Sequence, residues 1–357
     1  IGFFVLIQLM QMFHVEQTLE NASVPRGTNN TLYPSLIKVI TYFALFNAFI
    51  VFIQISTQHS TGLHYLEESF LSIGNPGVAT ITIFGEKILR GYGLFTHPNI
   101  IAAYIGFTIL TLLISANVPR GTLFNTKRNN ISNKTFHVEH IIISVLLVAL
   151  ILTFSRTGIF LTLLGSIFIV PRGTFLKKIT KENVQLFHVE QWLLALVILV
   201  LVIIGGLSSG KSLSERELSL IEYSKLSHFQ LIGSGAGSYG LQLYSKIGSI
   251  NEWSIQPIHN YFLLTYYELG VVGLFLITLL LIKVAVERVA YPEQLFHVEQ
   301  LQKNIHKLMF QVEHSKKYLV LMFFLGAFSL GDHFFYTIPQ GQAIFWLGLL
   351  IAIRERG

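Results

Sequence analysis

The sequence predicts an all-α integral membrane protein, a polytopic helical bundle with about nine or more transmembrane helices. Hydrophobic residues make up 52% of the chain and charged residues only 12%, whereas soluble domains contain roughly 25% charged residues. The mean hydropathy of +0.58 agrees with this. Apolar runs that could cross a hydrocarbon core of about 30 Å recur along the chain. They lack the period-two alternation of a membrane β-barrel, so helical spans are expected.

The predicted spans are the long apolar runs of a single membrane domain, residues 1–357. They lie near residues 1–11, 35–58, 99–116, 141–154, 158–169, 192–207, 259–282, 318–331 and 340–353. The chain begins at Ile1 inside an apolar run and without an initiating Met, so we expect a truncated N-terminus that lacks a span or two. There is no cysteine, so neither a disulfide nor a thiolate–metal site is expected.

The distribution of lysine and arginine predicts the orientation of the bundle. Most of these residues fall in loops 12–34, 117–140, 170–191 and 283–317 and at the C-terminus. By the positive-inside rule this side faces the cytoplasm. Loops 59–98 and 208–258 then face outward, and the second is expected to be a large extracytoplasmic loop with amphipathic helices. Because topology explains the basic pI near 9.3, no nucleic-acid partner is expected.

Two short peptides are repeated within the predicted cytoplasmic loops. Val-Pro-Arg-Gly-Thr occurs at 24–28, 118–122 and 170–174, and Phe-His-Val-Glu-Gln or a variant of it at 13–17, 136–140, 187–191, 296–300 and 310–314. One palindromic DNA word, GTTCCACGTGGAAC, can encode both peptides in two reading frames. We therefore interpret them as inserts in loops that tolerate extra length. Their His-x-Glu spacing is similar to that of metal ligands, but an origin as inserts explains it more simply.

The remaining unusual polar residues fall on the predicted outer face. In "QPIHNYFLLTYYELGVVGLFLITLLLI" (256–282), His259 would occupy the first turn of a helix. On a continuous helix, at about 100° per residue, His259, Gly270 and Gly273 would share one face, and the glycines would admit a neighbouring helix. Glu268 would lie about 180° away and roughly 13 Å deeper. It would be either functional or paired with another helix.

This stretch resembles the H-N-x9-G-x-x-G signature of the O-antigen ligase and polymerase superfamily, membrane glycosyltransferases that act on lipid-pyrophosphate-linked glycans. Four other segments also look like family segments: "THPNIIAAY" (96–104), "TFSRTG" (153–158), "SERELSLIEYSKLSHFQLIGSGAGSYG" (214–240) and "DHFFYTIPQGQAIFW" (332–346). The resemblance covers roughly residues 90–353 apart from the cytoplasmic inserts. It implies a GT-C-like bundle in a prokaryotic inner membrane, with an active site on the extracytoplasmic side.

The resemblance, together with the chemistry of glycan transfer, suggests a role for each candidate residue. Arg156 and Arg216 would bind the pyrophosphate of the glycan donor, because guanidinium groups carry permanent charge in a planar fork. His259 would take the proton of the acceptor hydroxyl in a single attack that inverts the anomeric centre. The candidate substrate-binding residues are Asn260, His97, Asn99, Tyr239, Asp332 and His333. With two arginines to neutralise the pyrophosphate, no metal or other cofactor is expected.

Structural explanations compete with these roles. Arg156 could be an interfacial cation, Arg216 part of a solvated amphipathic face, and Tyr239 an aromatic of the membrane-interface belt. Helix capping would equally explain His97, Asn99, Asp332 and His333. The loop Gly233–Gly237 lacks the sequence context of a nucleotide-binding motif, so we expect it to be flexible or to permit close backbone approach.

Two other classes of protein fit parts of the sequence. A transporter or flippase would also use intramembrane charge and glycine-broken helices, but the polar groups here crowd the outer interface and neither half of the chain repeats the other. An assembly factor without activity would tolerate loss of His259, Arg156 and Arg216. Within the family, a polymerase extends another lipid-linked repeat unit, whereas a ligase uses lipid A-core, a teichoic-type polymer or a protein as acceptor. The shared motifs do not separate polymerase from ligase.

Overall fold

A computed structural model describes residues 32–116, 129–169, 219–221, 223–224, 229–247, 257–289 and 318–354. The predicted spans at 1–11 and 192–207 lie outside the described residues, as does Arg216. The same holds for the whole of loop 170–191, for most of loops 12–34 and 283–317, and for half of loop 117–140. Predictions that concern these segments remain predictions.

The described residues are mainly helical. The helices are α1 (Leu32–Thr57), α2 (Pro98–Ala116), α3 (Asn129–Leu152), α4 (Arg156–Ile169), α5 (Ser238–Ile247), α6 (Tyr261–Val289), α7 (Tyr318–Gly331), α8 (Phe334–Thr337) and α9 (Pro339–Arg354). A short 3-10 turn covers His64–Leu66, and strands β1 (Thr80–Ile83) and β2 (Glu86–Leu89) form one antiparallel hairpin with Thr80 opposite Leu89.

Three of these helices contain a segment long and apolar enough to cross a membrane: Ser35–Thr57, Pro98–Ser115 and Tyr261–Val286. Shorter apolar helices cover Glu139–Leu152, Arg156–Ile169 and Tyr318–Gly331. The described part of the chain therefore supports the coarse prediction of a mostly helical, membrane-associated protein. The total of about nine spans stays a prediction.

A short β-hairpin, which the sequence analysis did not predict, accompanies the helices. In Thr80–Leu89, β-branched and apolar residues alternate with polar ones up to a tight turn, a pattern that favours strands. The turn residues Phe84 and Gly85 both have positive φ, 51° and 87°, as required by the two-residue turns that join antiparallel strands. The hairpin lies in the loop predicted to face outward, and its second strand leads directly into Arg90.

Helix α2 forms the centre of the bundle, and its apolar segment is 78% buried. Small residues let it approach α4 closely. A Cβ on Gly158 would lie 2.7 Å from the Cβ of Ala102, and a Cβ on Gly106 would lie 2.2 Å from Oγ1 of Thr162. Larger residues at these positions would push the two helices apart. This close packing sets the N-terminus of α2 beside the N-terminus of α4.

Helix α1 fixes the segment that connects the hairpin to α2. The side chains of Asn47 and Gln54 are fully buried although both are polar. Oδ1 of Asn47 accepts the backbone N–H of Leu94 at 2.9 Å, and Oε1 of Gln54 accepts those of Tyr92 and Gly93 at 3.0 and 2.8 Å. Because buried amides need such partners, α1 holds the backbone between Arg90 and α2 in one place.

Candidate functional site

Most of the predicted site residues lie where several helix ends meet. Helices α2, α4 and α6 begin at this end of the bundle, and α3 and α7 end there. Hydrogen bonds of Asp332, Arg90 and Asn260 tie these ends together. Polar residues that follow or precede apolar runs are thus brought into one cluster.

Asp332, just after α7, is the buried carboxylate of this cluster and is 7% exposed. Its Oδ1 accepts the backbone N–H of His333 at 2.8 Å, and its Oδ2 accepts the side-chain amide of Asn99 at 3.0 Å. Burial raises the pKa of the Asp332 carboxyl, but His259, His333 and Asn99 outweigh that effect and hold the pKa well below its ordinary range. Asp332 is therefore an anion at neutral pH.

His259 is an imidazole beside this carboxylate. Its side chain is 27% exposed, and its Nδ1 lies 3.7 Å from Oδ1 of Asp332. This distance is too long for a hydrogen bond, and the buried Nδ1 has no hydrogen-bond partner among the described residues. The ring centroids of His259 and His333 are 5.4 Å apart. With Nδ1 next to Asp332, Nε2 is the nitrogen left for proton transfer.

Two further imidazoles, His97 and His333, are neutral at neutral pH. Burial, with repulsion from Arg90, lowers the pKa of His97 to about 4. Burial also lowers the pKa of His333 to about 4, and the neighbouring His259 adds to the effect. The carboxylate of Asp332 opposes both shifts without reversing them. These two rings can therefore supply lone pairs or N–H donors without adding charge to the cluster.

Arg90, which sequence analysis did not single out, is joined to the cluster through Asn99. Its Nη2 donates to Oδ1 of Asn99 at 3.0 Å, and its Nε donates to the backbone carbonyl of Thr153 at 2.9 Å. Burial lowers the pKa of Arg90 to about 10, and the nearby charge of Arg156 contributes to this. Arg90 is therefore still cationic at neutral pH. One feature of the sequence could have pointed to Arg90: it directly precedes Gly-Tyr-Gly and stands six residues before "THPN".

The predicted "TFSRTG" turn is a tight helix start that presents Arg156. Phe154 has a positive φ of 50°, which reverses the chain after α3. The buried Ser155 then caps α4, because its hydroxyl oxygen accepts the backbone N–H of Gly158 at 3.3 Å. Arg156 is thereby the first residue of α4, half-buried and near Arg90.

Asn260 supports the cluster from the start of α6. Its Oδ1 accepts the backbone N–H of Leu263 at 2.9 Å, which caps the helix, and its Nδ2 donates to the carbonyl of Leu330 at 3.1 Å. The same side chain therefore joins the beginning of α6 to the end of α7. This places the flanking residues His259 and Asp332 beside each other.

Tyr239 lies in a different environment from the one expected for a sugar-stacking residue. Its side chain is 1% exposed. Its ring packs against Tyr223 and Tyr267, with centroid distances of 6.3 and 5.2 Å. Tyr239 therefore belongs to a small tyrosine-rich core, and its burial leaves no open ring face on which a sugar could stack.

Glu268 is 3% exposed, and its carboxylate binds backbone N–H groups of the segment 237–239, within the predicted loop 208–258. Its Oε2 accepts the backbone N–H of Gly237 at 2.7 Å, and its Oε1 accepts that of Tyr239 at 3.2 Å. These N–H groups belong to the N-terminus of α5, where a carboxylate is favourable. Glu268 is therefore paired with another helix, one of the two roles expected for it, because its carboxylate caps the N-terminus of α5.

The expected common face of His259, Gly270 and Gly273 is not formed. Helix α6 begins after His259, and Gly270 breaks its helical geometry with φ 71° and ψ −169°. A Cβ on Gly270 would lie 2.4 Å from the carbonyl oxygen of Leu231, and one on Gly233 would lie 2.2 Å from the carbonyl carbon of Glu268. The close approach expected at Gly270 and Gly233 does occur, but between a loop and a broken helix.

The cluster combines a buried carboxylate, a partly exposed imidazole and two arginines at one end of an apolar bundle. Such a set can accept a proton at one point and neutralise an anion at another. Neither a protein-family model nor a curated protein matches this chain. Function has to follow from the residues of the cluster.

Proposed function

We propose that this chain is an inverting glycosyltransferase that works without a metal. It moves a glycan from a lipid (undecaprenyl) pyrophosphate to an acceptor hydroxyl, as a polymerase or ligase of surface polysaccharide. The main support is a chain of side-chain hydrogen bonds that runs from Arg90 through Asn99 to Asp332 and ends beside His259. This arrangement supplies cations for a departing diphosphate and a base for a hydroxyl within one cluster.

His259 is the base in this proposal. Nε2 takes the proton of the acceptor hydroxyl as its oxygen attacks the anomeric carbon. The resulting imidazolium is stabilised by the carboxylate of Asp332, whose Oδ1 lies 3.7 Å from Nδ1 and which is already ionised. This is the role that a buried carboxylate has beside a catalytic histidine.

The arginines act on the leaving group. As the new glycosidic bond forms, the bond between the anomeric carbon and the phosphate oxygen breaks, and the electron pair leaves with the lipid pyrophosphate. Arg156 at the start of α4 is the proposed contact for this anion, and Arg90 adds a second positive charge behind it. The proposal keeps Arg216 as a further contact on the strength of the resemblance alone.

The membrane setting fits a lipid-linked donor. The cluster lies at one end of helices that could cross a membrane, where a lipid pyrophosphate headgroup would lie at the interface. By the positive-inside rule, the charge distribution supports an extracytoplasmic position for this end, and the family resemblance adds that the membrane is a prokaryotic inner membrane. Donor, acceptor hydroxyl and membrane lipid are the partners this proposal requires.

A transporter or flippase for lipid-linked glycans or other solutes is the second candidate, and the break in α6 at Gly270 favours it, because transporters use discontinuous helices. In transporters the broken backbone surrounds a substrate site. Here the backbone of Gln230 and Leu231 fills the break by accepting the N–H groups of Val271 and Val272 at 3.1 and 3.2 Å. The enzyme proposal explains the cluster without a further assumption.

The proposal is tested with purified protein and undecaprenyl-pyrophosphate glycan in detergent, where no compartments exist and transport alone yields no product. We expect longer glycans or, with a separate acceptor present, a glycosylated acceptor. His259→Gln should lower the rate about 100-fold or more, as loss of a general base does. His59→Gln is the matched control, because His59 is exposed on the same outer loop region.

Three outcomes are informative. Chain growth without an added acceptor identifies a polymerase, and product only with an added acceptor identifies a ligase. A wild-type rate in His259→Gln would remove the proposed base and with it the mechanism. If no product forms under any condition, flipping of the lipid-linked glycan in proteoliposomes becomes the measurement that supports the second candidate.

A further inference from the structure

Three side chains of the cluster are arranged as metal ligands. His259, Asp332 and His333 each offer one ligand atom, and these three atoms lie within 4.8 Å of one another. Two imidazoles and a carboxylate are a donor set for Zn²⁺, Co²⁺ and Ni²⁺ rather than for Mg²⁺ or Ca²⁺, which prefer oxygen donors. The sequence led us to expect no metal, because two arginines would neutralise the pyrophosphate. The three side chains are far apart in the chain, with Asp332 and His333 more than seventy residues after His259.

One pair of these ligand atoms has nearly the spacing found around a coordinated ion, within a set that spans up to 4.8 Å. Two ligands at about 2.0–2.1 Å from a tetrahedral Zn²⁺ are about 3.4 Å apart, and Nδ1 of His259 lies 3.7 Å from Oδ1 of Asp332. That Nδ1 is buried and has no hydrogen-bond partner within the described part of the chain. A buried nitrogen in this state is costly unless a proton donor or an ion meets it.

The groups behind the three side chains also suit a metal site. Nδ1 of His333 shares a hydrogen bond of 2.7 Å with Oγ1 of Thr337. Nε2 of the same ring therefore remains to bind an ion. Oδ2 of Asp332 accepts the amide of Asn99 at 3.0 Å, which orients the carboxylate. Its Oδ1 accepts the backbone N–H of His333 and also faces Nδ1 of His259. Metal-binding imidazoles and carboxylates are usually held by such outer hydrogen bonds.

We propose that His259, Asp332 and His333 bind one divalent transition-metal ion of the Zn²⁺ type, and that the bound ion inhibits glycan transfer. The inhibitory part rests on the proposed function: transfer needs a lone pair and a free ring on His259, and coordination removes both. Arg90 is linked to Asp332 through the side chain of Asn99, and its positive charge repels a metal ion bound at Asp332. Binding is therefore weaker than at a structural zinc site and can be reversed by a chelator.

Binding is measured first, without substrate. The purified full chain in detergent is titrated with Co²⁺, whose visible absorption reports coordination, and Zn²⁺ is added as competitor. We expect one saturable site that EDTA empties. Thr337→Val keeps the size of the side chain but removes the hydroxyl partner of His333, and it should weaken Co²⁺ binding about 10–100-fold. His333→Gln should weaken it at least as much.

The histidines of the repeated peptides require their own control, because their His-x-Glu spacing could also attract an ion. His297→Gln changes one of them and should leave the Co²⁺ spectrum and affinity as in the wild type. Absence of saturable binding, or equal affinity in the wild type and His333→Gln, would overturn the metal site. Altered folding of a variant is recognised by its elution from a sizing column.

Activity then tests inhibition separately. Zn²⁺ should inhibit transfer by the wild type, and the concentration for half-inhibition should rise at least about 10-fold in Thr337→Val, each protein being compared with its own rate in EDTA. Equal inhibition of both proteins would overturn the regulatory part. Metal binding without any transferase activity would leave the metal site standing and reject the proposed function, so the two failures are distinguishable.

Discussion

Among single side chains, Arg90 ties the outer hairpin to the helix ends around Asp332. Its Nε and Nη2 reach two acceptors at once, the carbonyl of Thr153 and Oδ1 of Asn99. Lysine has no planar fork and cannot reproduce this geometry. We expect Arg90→Lys to leave one buried acceptor unpaired and to lower the free energy of unfolding by about 1–3 kcal/mol.

Thermal unfolding in detergent measures this change. Lys87→Arg is the matched control, because Lys87 is exposed on β2 and an exchange of cations at an exposed site should stay within about 0.5 kcal/mol. If Arg90→Lys unfolded at the wild-type temperature, Arg90 would not hold the segment together. A rate that fell without a change in stability would instead assign Arg90 to the leaving group alone.

A second side chain, Glu68, makes the stability of the predicted outward loop 59–98 depend on pH. Its carboxylate accepts hydrogen bonds from Gln54, from the N–H and hydroxyl of Thr61 and from the N–H of Leu63, at 2.6–2.9 Å. Burial raises the pKa of Glu68, but these bonds outweigh it and leave the pKa below its ordinary value. A carboxyl whose pKa is lowered by folding stabilises the protein above its unfolded pKa, about 4.3, and that contribution is lost as the pH falls through the folded value.

The melting temperature of the wild type should therefore fall as the pH drops below about 4.3. Glu68→Gln should melt lower at pH 7 and lose less on acidification, because its amide cannot accept the same bonds or titrate. Glu67→Gln, on the exposed neighbour, should follow the wild-type curve. Parallel curves for wild type and Glu68→Gln would contradict this assignment.

The sequence was enough to single out most polar residues of the cluster, but it did not predict which of them form hydrogen bonds with one another. His97, Asn99, His259 and Asp332 flank apolar runs. Spanning helices place their ends at the two faces of a bundle, and the alternating order of the predicted spans assigned these ends to the same face. Arg90 escaped notice because a lone arginine in an outward loop is ordinarily solvated. Its importance depends on tertiary contacts, including one to Thr153, 63 positions along the chain, which composition and periodicity do not encode.

Among the elements, α6 depends on two glycines that admit another backbone. Gly270 combines a φ of 71° with a Cβ position 2.4 Å from the carbonyl oxygen of Leu231, and Gly233 faces the backbone of Glu268 and Leu269. In both cases the overlapping atoms belong to the backbone, so a side chain at either glycine would separate the loop around Leu231 from α6. Gly270→Ala should therefore lower the free energy of unfolding by about 1–3 kcal/mol from backbone strain alone, and the overlap adds to this.

Gly240→Ala provides the comparison. Gly240 lies within α5, and nothing lies within 4 Å of its Cβ position. Alanine there should raise helix stability by about 0.5–1 kcal/mol. Opposite signs for the two substitutions, measured as shifts of the thermal midpoint, are the expected result. Equal tolerance of Gly270→Ala and Gly240→Ala would show that the break in α6 is dispensable.

The same region shows why element boundaries were predicted less well than element types. The sequence around His259 is apolar and favours helix throughout, so a continuous helix was expected from residue 259. The structure instead caps α6 with Asn260 and breaks it at Gly270, because Leu231 and Gln230 complete the backbone hydrogen bonds of Val271 and Val272. Such a break is decided by a distant segment. The hairpin 80–89 was overlooked although its two-residue turn carried a local signal.

For the molecule as a whole, the site makes sense as proposed only if it faces away from the cytoplasm. Every repeated insert and most basic residues belong to the predicted cytoplasmic loops, whereas the hairpin, Arg90 and the polar cluster share the opposite end of α2. The absence of cysteine makes this orientation directly measurable, because a single introduced cysteine is then the one thiol available for labelling.

Asn75→Cys places a thiol on an exposed residue of the outer loop, and Asn304→Cys places one in the predicted cytoplasmic loop 283–317. We expect a membrane-impermeant maleimide to label the first in intact inner-membrane spheroplasts and the second only after permeabilisation. The physical reason is that arginine and lysine near spans resist translocation. The reverse labelling pattern would put the cluster in the cytoplasm, where a transferase of finished lipid-linked glycans has no extracytoplasmic acceptor.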